Sequence, residues 1–222
     1  MILSFASSKG GVGKSTCCAA IAAKLAQDGD RVLVMDLDLN QTVARWGRKA
    51  GAHLSHLTVE AIAPDRFTNH FRTCMSANQF DHVLIDLAGT REATLLKAMA
   101  RSDLVIVPAQ ASEPDLREAL VIIDDIADVI EAGASRLIYR LLLTKLFPLP
   151  TRATSFTHQE IKRHRIKAFS SGLVERTAYR EMFLTGKAPT ENVPHSKAAA
   201  EIAGLVGEIR RILGAEQGGV IA

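Results

Sequence analysis

The run Ser8-Lys9-Gly10-Gly11-Val12-Gly13-Lys14-Ser15-Thr16 brings together the residue types that hold a polyphosphate. Closely spaced glycines let a backbone turn tightly and aim its N–H groups at an anion. The run follows an apolar, strand-like stretch, Ile2 to Ala6, and opens a helix-like one, Cys17 to Ala26. The positive end of a helix dipole would therefore face the same anion. In that setting Lys14 reaches the β- and γ-phosphates and the Ser15 hydroxyl ligates Mg²⁺. A glycine turn alone has many structural causes. Here strand, glycines, two lysines, Ser-Thr and helix fall in register, which is the context a phosphate loop demands.

Three aspartates are the next candidates. Val32-Leu33-Val34-Met35-Asp36-Leu37-Asp38 and Val83-Leu84-Ile85-Asp86 are apolar runs that end in carboxylates. A carboxylate at the end of a buried strand is costly unless something charged or hydrogen-bonding meets it. Hydrated Mg²⁺ held by Ser15 and phosphate would do so, which makes Asp36 and Asp86 metal candidates. The structural alternative is helix capping, with Asp38 or Asn40 as the cap of a helix near Thr42.

These residues need a scaffold that gathers strand ends. Apolar runs at Ile2–Ala6, Arg31–Asp36, Leu57–Ile62, His82–Asp86, Leu104–Pro108 and Leu137–Thr144, with a weak one at 167–169, read as strands. Helical patterns lie between and beyond them at 14–27, 42–49, 65–77, 93–100, 114–131, 158–165, 178–184 and 196–213. Continuous apolar strands suit a parallel sheet covered on both faces. The alternation predicts one doubly wound, mostly parallel α/β sheet with right-handed crossovers and helices on both faces. Residues 1–214 read as a single P-loop domain and 215–222 as a flexible tail. Ligands bind such sheets at the carboxyl ends of the strands.

Composition sets the limits. The apolar share of 47% supplies a sizeable core and the 23% of charged residues is ordinary. A first strand at residue 2 predicts no signal peptide and a cytoplasmic protein. The three cysteines, Cys17, Cys18 and Cys74, form no C-x-x-C pair, so a reducing compartment and no cysteine metal site are expected. Net charge is only +3, but basic residues gather at Lys162, Arg163, Arg165 and Lys167, and again at Arg210 and Arg211. Solvated helix faces would account for either group equally well.

The two-lysine form K-G-G-x-G-K-[ST], with Ser8 where an ordinary phosphate loop has glycine, resembles the deviant P-loop of the ParA/MinD family of partition and positioning ATPases. Asp36-Leu37-Asp38 resembles that family's D-x-D motif, and Asp86 its Walker B aspartate. Val107-Pro108 through Ser112 and Asp115 is similar to its V-P-x-x-x-S/T-x-x-D segment. Pro194-His195-Ser196-Lys197-Ala198-Ala199 is similar to its entry to the last helix. Leu39-Asn40 and Leu87-Ala88-Gly89 depart from the usual D-x-D-P-Q and T-P-P continuations, as in short plasmid and conjugative-transfer members.

The resemblance implies ATP and Mg²⁺ as ligands, bound by Lys9, Gly10, Gly11, Val12, Gly13, Lys14, Ser15 and Thr16. It implies that Asp38 positions the attacking water, and that Lys9 crosses to the phosphates of a second subunit in an ATP-bound sandwich homodimer. Turnover is then slow unless a small ParB-type partner stimulates it. The dimer is expected to bind duplex DNA without sequence preference and to sit on the nucleoid. Lys197, Arg210 and Arg211 are the favoured contacts, with Lys162, Arg163 and Arg165 as the second group. A chain opening on strand one is expected to lack the helix-turn-helix domain of longer members.

Two rival readings stay open. A MinD-like ATPase would use a terminal amphipathic helix on a membrane; the apolar stripe Ile202, Leu205, Val206, Ile209 and Leu213 is expected to pack on the sheet instead, with no stable membrane association. A metabolic enzyme on the same scaffold, an iron-protein reductase or a dethiobiotin-synthase-like ligase, is the other; the reductase would need cluster cysteines, which Cys74 does not match.

Overall fold

The computed structural model describes residues 1–89 and 93–218. Among them six strands, β1 (Ile2–Phe5), β2 (Val32–Asp36), β3 (Leu57–Ala61), β4 (His82–Asp86), β5 (Leu104–Gln110) and β6 (Ile138–Thr144), form one sheet in the order β3-β2-β4-β1-β5-β6. Every pairing is parallel. The register sets Asp86 beside both Phe5 and Asp36, so β1, β2 and β4 end side by side. The chain adds strands first on one side of β1 and then on the other. The crevice beyond β1 is therefore the place where such a sheet accepts a ligand.

Helices cover both faces. One face carries α1 (Lys14–Gln27), α2 (Thr42–Ala50), α7 (Thr177–Thr185), the short α8 (Pro189–Asn192) and α9 (Lys197–Gly218). The other carries α3 (Phe67–Ala77), α4 (Ala93–Met99), α5 (Glu113–Glu131) and α6 (Arg152–Arg163). Helix α1 is buried on nearly every side from Cys17 to Ala26, as its all-round apolar sequence requires. The stripe Ile202, Leu205, Val206, Ile209 and Leu213 of α9 closes over it in the same core. Among the described residues no helix is long and apolar enough to cross a membrane.

Several boundaries differ from the sequence-based ones. Helix α6 starts at Arg152, because the Thr151 side chain accepts the Thr154 N–H and caps it. Strand β5 runs past Pro108 to Gln110. Its neighbour β1 ends at Phe5, opposite Ile106, so the missing proline N–H falls where no ladder partner remains. The weak strand at 167–169 is a single bridge, Leu141 to Ala168. Helix α9 continues through Gly218, so the expected tail at 215–222 begins inside it; residues 219–222 lie outside the described residues.

Candidate functional site

The loop between β1 and α1 is shaped by two left-handed glycines, Gly11 at φ 77° and Gly13 at φ 98°. A Cβ at either position would be strained. Gly13 is the N-cap of α1, no side chain caps that helix, and its first turn holds no acidic residue. Free N–H groups and a positive dipole end therefore point at one spot. The loop is pinned from behind. The Val12 side chain is buried, and its carbonyl accepts the Thr144 Oγ1 proton at 2.7 Å, from the end of β6.

Gly10, Gly11, Lys14, Ser15, Thr16 and Asp38 line one cleft. Lys14 is almost wholly buried, and its Nζ donates to the Lys9 carbonyl at 3.1 Å. Burial lowers its pKa, while Asp86 and Asp38 pull the other way. Gly89 lies against it: an added Cβ would stand 3.5 Å from Lys14 Nζ and 3.7 Å from Gly10 N. The departure at Leu87-Ala88-Gly89 thus has a structural consequence, a loop close enough to touch the phosphate loop.

The aspartates separate by role. Ser15 Oγ donates to Asp86 Oδ2 at 2.7 Å. Asp86 Oδ1 is buried with no hydrogen-bond partner among the described residues. Desolvation, reinforced by the charges of Asp36 and Asp38, pushes the Asp86 pKa up to about 7. Asp36 is spent elsewhere. Its Oδ2 accepts the Ala44 N–H at 2.8 Å and its Oδ1 accepts the Asp38 N–H at 3.1 Å, so it anchors the start of α2. The capping role expected of Asp38 or Asn40 belongs to Asp36, whose two oxygens these bonds engage. Asp38 faces the cleft, its Oδ1 accepting the Asn40 N–H at 2.8 Å.

Lys9 points away from the cleft. Its Nζ, 44% exposed, pairs at 3.0 Å with Asp115, which is 6% exposed. Ser112 caps α5 and donates to the same carboxylate. Ser8 Oγ meets Glu118 at 2.5 Å. The segment that resembles V-P-x-x-x-S/T-x-x-D therefore holds Lys9 within its own chain here.

A second cavity shares Gly13 and Thr16 with the cleft and is walled by Lys145, Arg176, Tyr179 and Phe183. Tyr179 Oη donates to Glu201 at 3.0 Å, and Arg176 holds the same glutamate. Sequence reasoning missed this wall because its residues lie far from the glycine loop along the chain. No local motif marks them; the strained φ of 50° at Lys145 emerges only in the fold.

The two basic groups are not one surface. Helix α6 packs on one face of the sheet through Ile161 and α9 on the other through Ile209. Lys197 opens α9 and Arg210 lies thirteen residues further on, about 20 Å away at 1.5 Å per residue. Arg210 is committed to Asp28 at 2.9 Å and Asp30 at 2.7 Å. Its guanidinium, 44% exposed, is thus engaged by two carboxylates. Lys197, Arg211, Lys162, Arg163 and Arg165 remain exposed.

Comparison with known proteins agrees with this geometry. The VirC1 protein family model matches residues 1–199, and the chain belongs to that family. Protein ParA of Rhizobium radiobacter is 28% identical over 185 residues, covering 82% of this chain and 81% of that protein. Protein virC1 of Rhizobium rhizogenes is 28% identical over 156 residues; the match covers 68% of this chain and 61% of that relative, less than two thirds of its length. Apo McdA of Cyanothece shares the fold at TM-score 0.76 and 15% identity, over 94% of this chain and 98% of that one. The Pyrococcus furiosus cell division ATPase MinD does so at TM-score 0.71 and 19% identity, over 95% and 98%. The expected resemblance to ParA is borne out in sequence, and the McdA and MinD structures share the fold.

Proposed function

We propose that this VirC1-family chain is an ATP-driven switch that partitions or positions a DNA cargo. The observation that carries the reading is the conjunction, in one cleft, of the uncapped α1 N-terminus, buried Lys14, and Ser15 hydrogen-bonded to Asp86. Backbone N–H groups of residues 10–16 and Lys14 would hold the triphosphate. The second cavity, against Tyr179 and Phe183, would take the adenine and ribose.

The residues present fit a magnesium ion. Asp86 Oδ1 is a buried hard oxygen without a partner among the described residues, and Ser15 Oγ lies beside it. Ser15 and Asp86 would hold the ion, and Asp36 would brace them by fixing α2. When bound, the ion supplies neutralisation of phosphate charge. Asp38, on the cleft wall, would accept a hydrogen bond from the attacking water and orient it. Phosphoryl transfer of this kind is mostly positioning and electrostatics, so slow intrinsic turnover is expected.

Lys9 would leave Asp115 and enter the cleft of a second copy, adding the charge that offsets phosphate repulsion across the dimer. The ATP-bound dimer would bind duplex DNA nonspecifically, and a small ParB-type partner would stimulate hydrolysis and release. A conjugative-transfer complex is the alternative cargo.

Subunit mixing tests this reading. Asp38→Ala should bind ATP, stall hydrolysis and accumulate as a dimer in gel filtration. Lys9→Ala should bind ATP within a few-fold of the parent but stay monomeric. An Asp38→Ala chain that remains monomeric with ATP, or a Lys9→Ala chain that loses ATP binding on its own, overturns the respective assignment.

A further inference from the structure

Away from the nucleotide cleft, the outer edge of the sheet brings three ligand-type side chains to one point. Glu60 lies on edge strand β3, and His70 and Cys74 are one turn apart on α3. Residues four apart share a helix face, and Phe67 and Phe71 on the adjoining positions are buried against the sheet. His70 Nε2 stands 2.5 Å from Glu60 Oε2 and 3.5 Å from Cys74 Sγ. One donor atom from each residue falls within 4.8 Å of the other two.

We propose that Glu60, His70 and Cys74 form a binding site for a divalent transition-metal ion of the zinc class. An imidazole nitrogen, a thiolate sulfur and a carboxylate oxygen are the usual zinc donors, at about 2.0–2.1, 2.3 and 2.0–2.2 Å respectively. A tetrahedral ion with those bond lengths separates nitrogen and sulfur by about 3.5 Å, the separation found between His70 and Cys74. It separates nitrogen and oxygen by about 3.4 Å. Glu60 therefore retreats by about 1 Å, which its 38% exposed side chain allows.

Charge balance favours the same ion class. One thiolate and one carboxylate neutralise a divalent cation, and the soft sulfur selects zinc-class metals over magnesium. A His–Glu ion pair accounts for two of the groups by itself; it leaves unexplained a sulfur directed at the same nitrogen. Burial and the Glu60 charge keep the Cys74 thiol neutral, a balance that a bound dication reverses, with the thiol proton passing to water. The ion would staple α3 to the edge strand and leave one coordination position to water. The absence of a C-x-x-C pair concealed the site, because one of its ligands comes from β3, ten residues before His70.

The test uses the full chain, stripped by chelator and free of nucleotide. Co²⁺ should give a thiolate-to-cobalt charge-transfer band and tetrahedral d–d absorption, both lost in Cys74→Ser. Zn²⁺ affinity should fall at least tenfold in His70→Ala, the size that even an outer-shell change produces. At a hundredfold excess over Kd, Zn²⁺ should raise Tm by about 5–10 °C. Should Cys74→Ser fail to fold, alkylation of the unmodified chain decides. Zn²⁺ should slow modification of Cys74 at least tenfold, against a low background from buried Cys17 and Cys18, whose thiols burial holds well above the usual range, Cys17 at about 12. Cobalt bound without a thiolate band, a band that survives Cys74→Ser, or an alkylation rate unchanged by Zn²⁺ overturns the proposal.

Discussion

The carboxyl ends of β1, β2 and β4 and the basic surfaces of α6 and α9 are both dense in charge, yet they are built oppositely. At the strand ends, Lys14 and Asp86 are buried, and Asp86 Oδ1 has no partner among the described residues. On the helices the charges are solvated or already met, as Arg210 is by Asp28 and Asp30. An unmet buried charge costs several kcal/mol and persists only where something repays it. A solvated charge costs almost nothing, so its presence says little. The difference teaches that an unmet buried oxygen beside a glycine loop and a buried lysine points to a ligand, whereas surface charge only permits one.

The sharpest way to break that contrast is Lys14→Ala. Removal of the buried cation should weaken ATP binding at least a hundredfold by calorimetry. A loss under tenfold would mean that the cleft does not hold the phosphates.

Asp86 offers a test on the free protein. Its folded pKa of about 7 lies above the ordinary carboxylate value of 3.8. The native state therefore holds a proton that the unfolded chain has released across that interval. Stability of the nucleotide-free protein should be highest near the lower value and fall as pH rises towards and through 7. Asp86→Asn should abolish this decline and gain on the order of 3 kcal/mol at pH 8 in urea unfolding, while losing Mg²⁺-dependent ATP binding. Equal pH profiles for parent and variant would show that the buried carboxylate is already compensated.

Phe183→Ala bears on the second cavity. It should weaken ATP about tenfold by removing a stacking wall, and leave inorganic triphosphate binding unchanged. A parallel loss for both ligands would place Phe183 outside the base pocket.

The smallest effect is expected on the surface. Arg210→Ala should leave the salt dependence of DNA binding by the ATP form unchanged and cost under about 1 kcal/mol of stability. Neutralising Lys162, Arg163 and Arg165 together should lower the log–log salt slope by about 0.9 for each DNA phosphate that no longer meets a cation. The opposite pattern would place Arg210 on the DNA surface.

Much of this was legible along the chain. The glycine loop, its two lysines and the aspartates that end β2 and β4 are local patterns, since loop geometry and strand termination depend on neighbours in sequence. The apolar stripe of α9 likewise predicted its own burial, and the core encloses it. Other elements were not legible. Helix α6 begins in Arg152-Ala153-Thr154-Ser155-Phe156-Thr157, where hydroxyl and β-branched residues hide the helical period. Thr157 is fully buried only because its Oγ1 donates to the Ala153 carbonyl at 2.9 Å.

The sequence by itself determined that a glycine loop joins strand to helix at the opening of a doubly wound sheet, because periodicity and spacing act over a few residues. Tertiary structure alone decided which aspartate keeps an unbonded oxygen among the described residues. Asp36 and Asp86 end equivalent strands, and only the arrival of α2 uses one of them up. It also decided that Lys9 rests on Asp115, that Tyr179 and Phe183 wall a cavity beside Gly13, and that Glu60 meets His70 and Cys74. Each of these depends on how separate segments pack across the sheet, and a linear pattern carries no term for the distance between them.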